Sequence, residues 1–480
     1  MDFGAALGQG FAILLSPSGL VACFIGLMAG AVVGFLPGIS SLGGLALGIS
    51  LLWMLQPTAF KEPTSVAASA GAVFVVSFVY GALYGRGLAA INQRASETRK
   101  LVAKDLPNQS LMIFGVIAGV LVAGVAGMVA AGWKLPYLYF GPAEYASIMF
   151  FILMAGVAFS SGSTATGLAM AVFGLLLSLV GTDLETGARR LTFDVPGLAH
   201  GIIPLVAAVG LFGVASAIYG LDQVGVARGR TMAAPDVPLP KLILKSLIGI
   251  PGGLLPTNGA AVVSSVPERR TRSGADLLDP ASQTNIGEIV CATIASDLRL
   301  SISLVPVFTL LIGFDVISAQ LANLPFFWGG AWAAVTTKAW LVCATLMLLH
   351  AVPLTMLAFW KFFRWSPIRI DVRVVAPLIL ACCCAATYSL NHSTIDIALM
   401  LVFGAIGYFM ILANLDRSLL FLGLIFGSAF EEHVRRAMLI ARGDTTVFLT
   451  RPISAGFLVA GAIVLVTALV WRISRRERPT

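Results

Sequence analysis

Residues 29–44 read AGAVVGFLPGISSLGG, a glycine-spaced apolar stretch that runs into Leu36-Pro37-Gly38 and then turns polar. Proline removes a backbone donor and disfavours helix at the residue before it. The stretch therefore predicts a helix that stops at Leu36 while the surrounding sequence is still hydrophobic. Hydrocarbon offers nothing to the backbone groups that a break releases, so the break must face protein or water.

Composition says why the question concerns a membrane at all. Hydrophobic residues make up 58% of the 480 positions and charged residues 11%, against about 25% charged in an average soluble domain. Apolar runs of the length needed to cross about 30 Å of hydrocarbon recur throughout, from Phe11–Phe35 and Ser65–Leu83 through Ile202–Tyr219 and Ile395–Ala413 to Ile453–Trp471. The expected fold class is all-α: a polytopic membrane protein of roughly ten to twelve transmembrane helices. The net charge of +8 reads as the positive-inside tendency of short loops and tail rather than as a nucleic-acid surface. RISRRERP (472–479) places the C-terminus in the cytoplasm, and the opening MDFGAALGQGFAILL lacks the basic start of a secretory signal.

Several chemistries have no sequence support. No G-x4-G-K-[ST] loop for nucleotide hydrolysis occurs, and neither H-E-x-x-H nor G-x-S-x-G is present. The six cysteines (Cys23, Cys291, Cys343 and Cys382 to Cys384) form no C-x-x-C pair, and the four histidines are scattered. The chain is not expected to be an enzyme, and no cofactor or metal is called for.

The break at Leu36-Pro37 has a partner. GAVVGFLP (30–37) and GIPGGLLP (249–256) share the pattern G-x3-G-x-L-P at a constant offset of 219 residues. Paired interruptions in two halves of a chain mark the binding site of transporters built from structural repeats. Backbone groups freed at such breaks can ligate an ion or a solute, and a restarting helix presents N–H groups to an anion. The candidate site comprises the breaks Pro37 and Pro256 with Gly38, Ser40 and Ser41 on one side and Thr257, Asn258 and Gly259 on the other. The bland alternative is a proline kink at a helix contact, with the small polar residues capping the next helix. The first copy follows an N-terminus without basic residues and the second a loop with Arg228, Arg230, Lys241 and Lys245, so the repeat is expected to be inverted. The expected organisation is a first membrane repeat over 1–220, a basic cytoplasmic linker over 221–245, a second repeat over 246–471 and a basic tail over 472–480.

Asp297 and Arg299, beside Ser296, interrupt an apolar run. Charges at mid-bilayer cost about 2.5–3.5 kcal/mol on insertion scales and tend to face a cavity or a partner. Either Asp297 holds a cation and Arg299 a carboxylate, or both solvate at a membrane boundary. Asp183 and Glu185 with Arg189 and Arg190 read as a solvated turn. Glu431/Arg435 and Glu432/Arg436 read as structural i,i+4 helix pairs, with the side of the 431–452 segment left open.

YFGPAEY (139–145), VGTDLETGARRLTFD (180–194), FGSAFEEHVRRAMLIARGD (426–444) and TRPIS (450–454), taken with the two Leu-Pro breaks, resemble the large membrane subunit of the tripartite tricarboxylate transporters over nearly the whole chain. The resemblance implies a multi-pass permease of the bacterial inner membrane, of inverted-repeat architecture, carrying a small organic anion such as a di- or tricarboxylate with Na⁺ or H⁺ coupling. It implies as partners a small four-helix membrane subunit and a periplasmic solute-binding protein, within the lipid bilayer, and leaves room for a homodimer. YGALYGRGLAAINQRASETRK (80–100) stands where the family runs Tyr-Gly-Gly-x-Tyr-Gly-Gly-Ser, and Ser296-Asp297 stands where an asparagine pair is expected. The family's Pro-Gly pair is absent after both stretches, which favours the alternative of a non-transporting scaffold or sensor derived from such a permease, while the retained break geometry and polar residues favour transport.

Overall fold

The computed structural model describes residues 15–36, 43–49, 73–75, 77–79, 81–82, 85, 140–160, 163–183, 186–222, 299, 303, 307, 312–322 and 372–476. The second Leu-Pro stretch and the residues just after the first lie outside these.

Helix α1 spans Pro17–Phe35, capped by the Ser16 hydroxyl, which accepts from the Gly19 N–H at 3.1 Å. Leu36 is extended (φ −67°, ψ 128°), the conformation that a following proline imposes. Helix resumes over 43–49, where every residue is buried. The expected interruption is therefore present, and the restart lies in protein. A Cβ added at Gly26, Gly30 or Gly34 would run into the backbone carbonyl of Phe74, Phe78 or Ala82 respectively. The glycine spacing thus lets the helical residues between 73 and 85 lie backbone to backbone along α1.

Helices α2 (Pro142–Ala158) and α3 (Thr164–Ser178) form a hairpin, with the Ser163 hydroxyl capping α3. A two-stranded antiparallel hairpin, β1 (Gly181–Thr182) and β2 (Arg189–Arg190), follows. Helix α4 (Pro204–Asp222) is 67% buried and contains one wider π turn at Val209–Val214. Next among the described elements come the short α5 (Val316–Ala322) and a second hairpin, α6 (Val372–Asn391) and α7 (Thr394–Leu412), in which the Ser393 hydroxyl caps α7. Helices α8 (Arg417–Ile440) and α9 (Pro452–Arg476) complete the chain. Among the described residues five helices (α1, α4, α6, α7 and α9) are long and apolar enough to cross a membrane. Helix α9 is the most hydropathic and least buried of them, with Val459, Ile463, Val466 and Val470 exposed along one face.

The two hairpins interlock with the other long helices in matching ways. A Cβ at Gly423 of α8 would enter the Ala171 carbonyl and lie 3.0 Å from the Gly174 Cα of α3. Correspondingly, a Cβ at Gly210 of α4 would enter the Met400 carbonyl and lie 3.1 Å from the Gly404 nitrogen of α7. Contacts advance in step along both pairs, Gly167 to Leu419 and Gly427 to Ser178 in one, Gly210 to Met400 and Gly407 to Ala215 in the other. Hence α3 runs parallel to α8, and α4 parallel to α7. The turn between α7 and α8 occupies only residues 413–416, so those two helices are antiparallel, and α3 and α7 point in opposite directions.

The same logic assigns the ends of the bundle. Glu144 meets Arg451, Ser147 meets Ser454 and Phe151 meets Phe457, while Arg472 donates to the Ala158 and Ser160 carbonyls at 3.1 and 2.6 Å. Helix α9 therefore lies parallel to α2. The 21 positions from Arg451 to Arg472 correspond to about 32 Å of helix, the thickness of a hydrocarbon core. One end of the bundle gathers the starts of α2, α7 and α9, the end of α8 and the β hairpin. At the other end stand the end of α4, which leads into Arg228, Arg230, Lys241 and Lys245, the start of α6, preceded by Lys361, Arg364 and Arg369, and the basic tail. These three helix ends share one end of the bundle, and in sequence each adjoins basic residues. The 431–452 segment is at the opposite end.

Candidate functional site: a broken helix, a buried ion pair and a charged ring

The restart after the first break packs on the π turn. A Cβ at Gly43 would lie 2.5 Å from the Phe212 carbonyl oxygen, and Leu45, Ala46, Leu47 and Ile49 enter the main core. A π turn widens a helix by one residue and disturbs its carbonyl ladder. Here Arg417 donates to the Leu211 carbonyl at 2.8 Å and sits over the Phe212 ring, 5.2 Å from its centroid. Phe421 of α8 meets the same ring edge-on at 5.5 Å. Interrupted backbone from the first half and the start of α8 from the second are held on one turn of α4.

Of the site residues expected from sequence, Arg299 is described. Pro37, Gly38, Ser40, Ser41, Pro256, Thr257, Asn258, Gly259, Ser296 and Asp297 lie outside the described residues. The Arg299 side chain is 13% exposed and its Nη2 donates to Asp315 Oδ2 at 2.5 Å, with the Asp315 side chain 2% exposed. Arg299 is thus the part-buried half of an ion pair whose other half, Asp315, is buried. Asp315 precedes α5 and is locked to it reciprocally: Ser318 N–H donates to Asp315 Oδ1 at 2.9 Å, and the Ser318 hydroxyl accepts from the Asp315 N–H at 2.9 Å. Gln320, one turn on, is 2% exposed, and its Oε1 is buried without a hydrogen-bond partner. Phe314, Val316, Ile317, Ala319 and Leu321 around these groups belong to the main apolar core. Sequence reasoning missed Asp315, because an acid closing an apolar run looks like a boundary residue. The signal was Asp315-x-x-Ser318, a pairing suited to a helix start.

At the end of the bundle that holds the β hairpin the charges expected to be solvated are tied together, which corrects the reading of Asp183. Its side chain is 8% exposed and pairs with Arg190 at 2.5 Å; Arg190 pairs with Glu431 at 2.8 Å, Glu431 with Arg435 at 2.5 Å, and Arg435 with Asp183 at 3.3 Å. The four form a closed ring of alternating sign joining the β hairpin to α8. The hydrogen bond that Arg190 donates to Glu431 holds its guanidinium more firmly protonated than usual. The i,i+4 pairs Glu431/Arg435 and Glu432/Arg436 form as expected, but the first belongs to a tertiary network. Buried Glu144 accepts from the Gly141 N–H at 2.8 Å and pairs with Arg451 at 3.1 Å. His433 stacks on Tyr145, centroids 5.0 Å apart, its Nδ1 is unpartnered, and burial lowers its basicity below that of an ordinary histidine. Among the described residues no group of three or more His, Cys, Asp or Glu is arranged to hold a metal ion.

Comparison with known proteins gives the chain a family. The family model described as the tripartite tricarboxylate transporter TctA family matches residues 20–422. An uncharacterized 52.8 kDa protein of the TAR-I ttuC′ 3′ region of Agrobacterium vitis is 29% identical over 525 aligned positions, covering 100% of this chain and 99% of that protein. An uncharacterized protein of the TAR-II ttuC′ 3′ region of the same organism is 32% identical over 192 positions, covering 38% of this chain and 73% of that protein. No solved structure matches significantly. With these matches and the broken, glycine-packed helices described above, the chain is a multi-pass membrane protein that belongs to the tripartite tricarboxylate transporter TctA family.

Proposed function

We propose that this chain is the permease that carries a small organic anion with two or three carboxylates across the bacterial inner membrane, driven by Na⁺ or H⁺. An anion entering a compartment that is negative inside moves against about 2.3 kcal/mol per charge per 100 mV, and coupling to a cation offsets that cost. The observation that carries the reading is a helix that stops at Leu36, with a wholly buried helical stretch over 43–49 packed on a π turn of α4. Irregular backbone at membrane depth is tolerated where protein or a water-filled cavity receives it, and such places bind transported solutes.

The same reading assigns two inverted repeats. Its support is the recurrence of a serine-capped hairpin whose second helix packs, glycine to carbonyl, on a parallel helix of the other half, with the two hairpins pointing in opposite directions. The pocket between the repeats takes Gly38, Ser40 and Ser41 from one and Thr257, Asn258 and Gly259 from the other. A small four-helix membrane subunit and a periplasmic solute-binding protein complete the transporter, as the family's tripartite description implies. The exposed valine and isoleucine face of α9 suits lipid or the small subunit.

The test is uptake of labelled citrate and succinate into proteoliposomes holding the permease and its small subunit, with binding protein supplied, with and without an inward sodium or proton gradient. Gradient-dependent accumulation is the expected result. Absence of uptake of every carboxylate tested, with correctly inserted protein, overturns the reading in favour of a non-transporting scaffold.

A further inference from the structure

The π turn of α4 stands where the matching contact in the other half of the chain needs none. Ser163-Thr164 and Met170-x-Val172-Phe173-Gly174 recur as Ser393-Thr394 and Met400-x-Val402-Phe403-Gly404 at a constant offset of 230 residues, a recurrence that pairs α3 with α7. Each matched glycine faces a long helix from the other half. A Cβ at Gly174 would enter the Leu420 carbonyl of α8, and one at Gly404 would lie 2.6 Å from the Val214 side chain of α4. On α8 the facing stretch is ordinary α-helix, whereas on α4 it is the π turn. A regular helix therefore satisfies this contact, and the extra residue in α4 answers to something else.

The helical stretch over 43–49 supplies the reason. A Cβ at Gly43 would lie 2.5 Å from the Phe212 oxygen and 2.7 Å from the Gly213 nitrogen, so this stretch rests on a peptide plane inside the turn. Keeping the turn leaves one backbone group over. The Ala215 N–H reaches back five residues to the Gly210 carbonyl. The α register that resumes over Ala215–Asp222 gives the next N–H, that of Ser216, to Phe212, four residues back. The Leu211 carbonyl between them is passed over. Leu211 is fully buried, and a buried carbonyl without a donor is costly. Arg417, at the start of α8, donates to that carbonyl from Nη1 at 2.8 Å and lies over the Phe212 ring.

We propose that Arg417 is a positioning residue for transport: its hydrogen bond to Leu211 holds α4 in the π register, and that register carries the platform on which residues 43–49 hold the segment behind the Leu36 break in place for the solute. Arg417 acts through Leu211 and Phe212 and not by touching the solute. The consequence for the solute rests on the permease reading above; the hold on residues 43–49 does not.

The experiment uses the full-length chain in lipid nanodiscs and in proteoliposomes. Arg417→Met keeps an apolar stem and removes the donor, and Arg417→Lys keeps a donor. In hydrogen–deuterium exchange without solute, Arg417→Met is expected to speed exchange about tenfold over 43–49 and 209–216, the size of one hydrogen bond to a charged group, and to leave α9 unchanged. Arg417→Lys stays closer to the parent than Arg417→Met does. Phe212→Leu, which removes the ring beneath the guanidinium, gives the same pattern more weakly. In citrate and succinate uptake, Arg417→Met raises KM about tenfold with Vmax within about twofold, whereas Asp183→Asn, which loosens the far end of α8, keeps the parent KM. Unchanged exchange over 43–49 in Arg417→Met, or in Phe212→Leu should Arg417→Met not fold, overturns the proposal. An Arg417→Lys protein no closer to the parent than Arg417→Met, or an unchanged KM in Arg417→Met, overturns it too. A parent chain that carries no carboxylate fails the permease reading, and the exchange measurement then still decides whether Arg417 holds residues 43–49.

Discussion

His433 shows what a single buried group does to the behaviour of the fold. It lies beyond the apolar run of α8, at the charged end of the bundle, stacked on Tyr145 with Nδ1 unpartnered. Burial holds its basicity below the ordinary value of 6.5, so on acidification the unfolded chain takes up the proton first. The stability linked to neutral His433 is present above pH about 6.5 and is lost as pH falls from there towards the lowered folded value. Thermal unfolding of His433→Phe, which keeps a ring against Tyr145, is expected to lose part of the drop in Tm between pH 7 and pH 5 that the parent shows; an unchanged drop refutes the assignment. Close approach gives a second test at this scale. Gly423→Val forces a side chain into the Ala171 carbonyl, whereas Gly456 has nothing within 4 Å of its missing Cβ. Overpacking of this kind costs about 1–3 kcal/mol, so Gly423→Val lowers Tm measurably and Gly456→Val does not.

Among elements, the connection between the β hairpin and α8 is the most exposed to charge substitution. Two members of the ring, Arg190 and Glu431, are about a third exposed, while Asp183 is buried. The expected cost of Asp183→Asn lies between those of surface and buried pairs, at about 1–2 kcal/mol. A double-mutant cycle with Glu431→Gln, read by thermal unfolding at low salt, is expected to give non-additive losses; additive losses sink the ring as a unit. This ring also marks the limit of what the sequence makes legible. Glu431/Arg435 can be seen from helix spacing, but Arg190 and Glu431 stand 241 residues apart, and no local pattern predicts their meeting. The end of α1 at Leu36-Pro37 was legible because proline acts on its immediate neighbour. The π turn at Val209–Val214 was not, since VGLFGV reads as an ordinary apolar helix and the turn is held by Arg417 and Phe421 from far along the chain. Arg299 stood out as a charge in an apolar run, while its partner Asp315 was hidden at that run's edge.

For the whole molecule, helix directions place the ends of α4 and α9 and the start of α6 at one end and the paired charges of the β hairpin and α8 at the other. Single cysteines in a background with the six native ones replaced give a direct check. Thr186→Cys in the β hairpin and Asp444→Cys after α8 are expected to react with an impermeant thiol reagent from the periplasmic side, and Thr480→Cys only after the membrane is opened. Reaction of all three from one side contradicts the arrangement.

The central claim is that two interrupted segments, one from each half, line a shared pocket. Its most direct measurement is a cross-link between Ser40→Cys and Asn258→Cys with a short bifunctional thiol reagent, in the same cysteine-free background. Ser163→Cys/Thr166→Cys, whose exposed hydroxyls lie 3.0 Å apart, serves as the positive control, its link read by mass spectrometry. The account predicts an efficient intramolecular cross-link at Ser40/Asn258 that a transported carboxylate slows. A control pair that links while Ser40/Asn258 does not, with or without carboxylate, contradicts it.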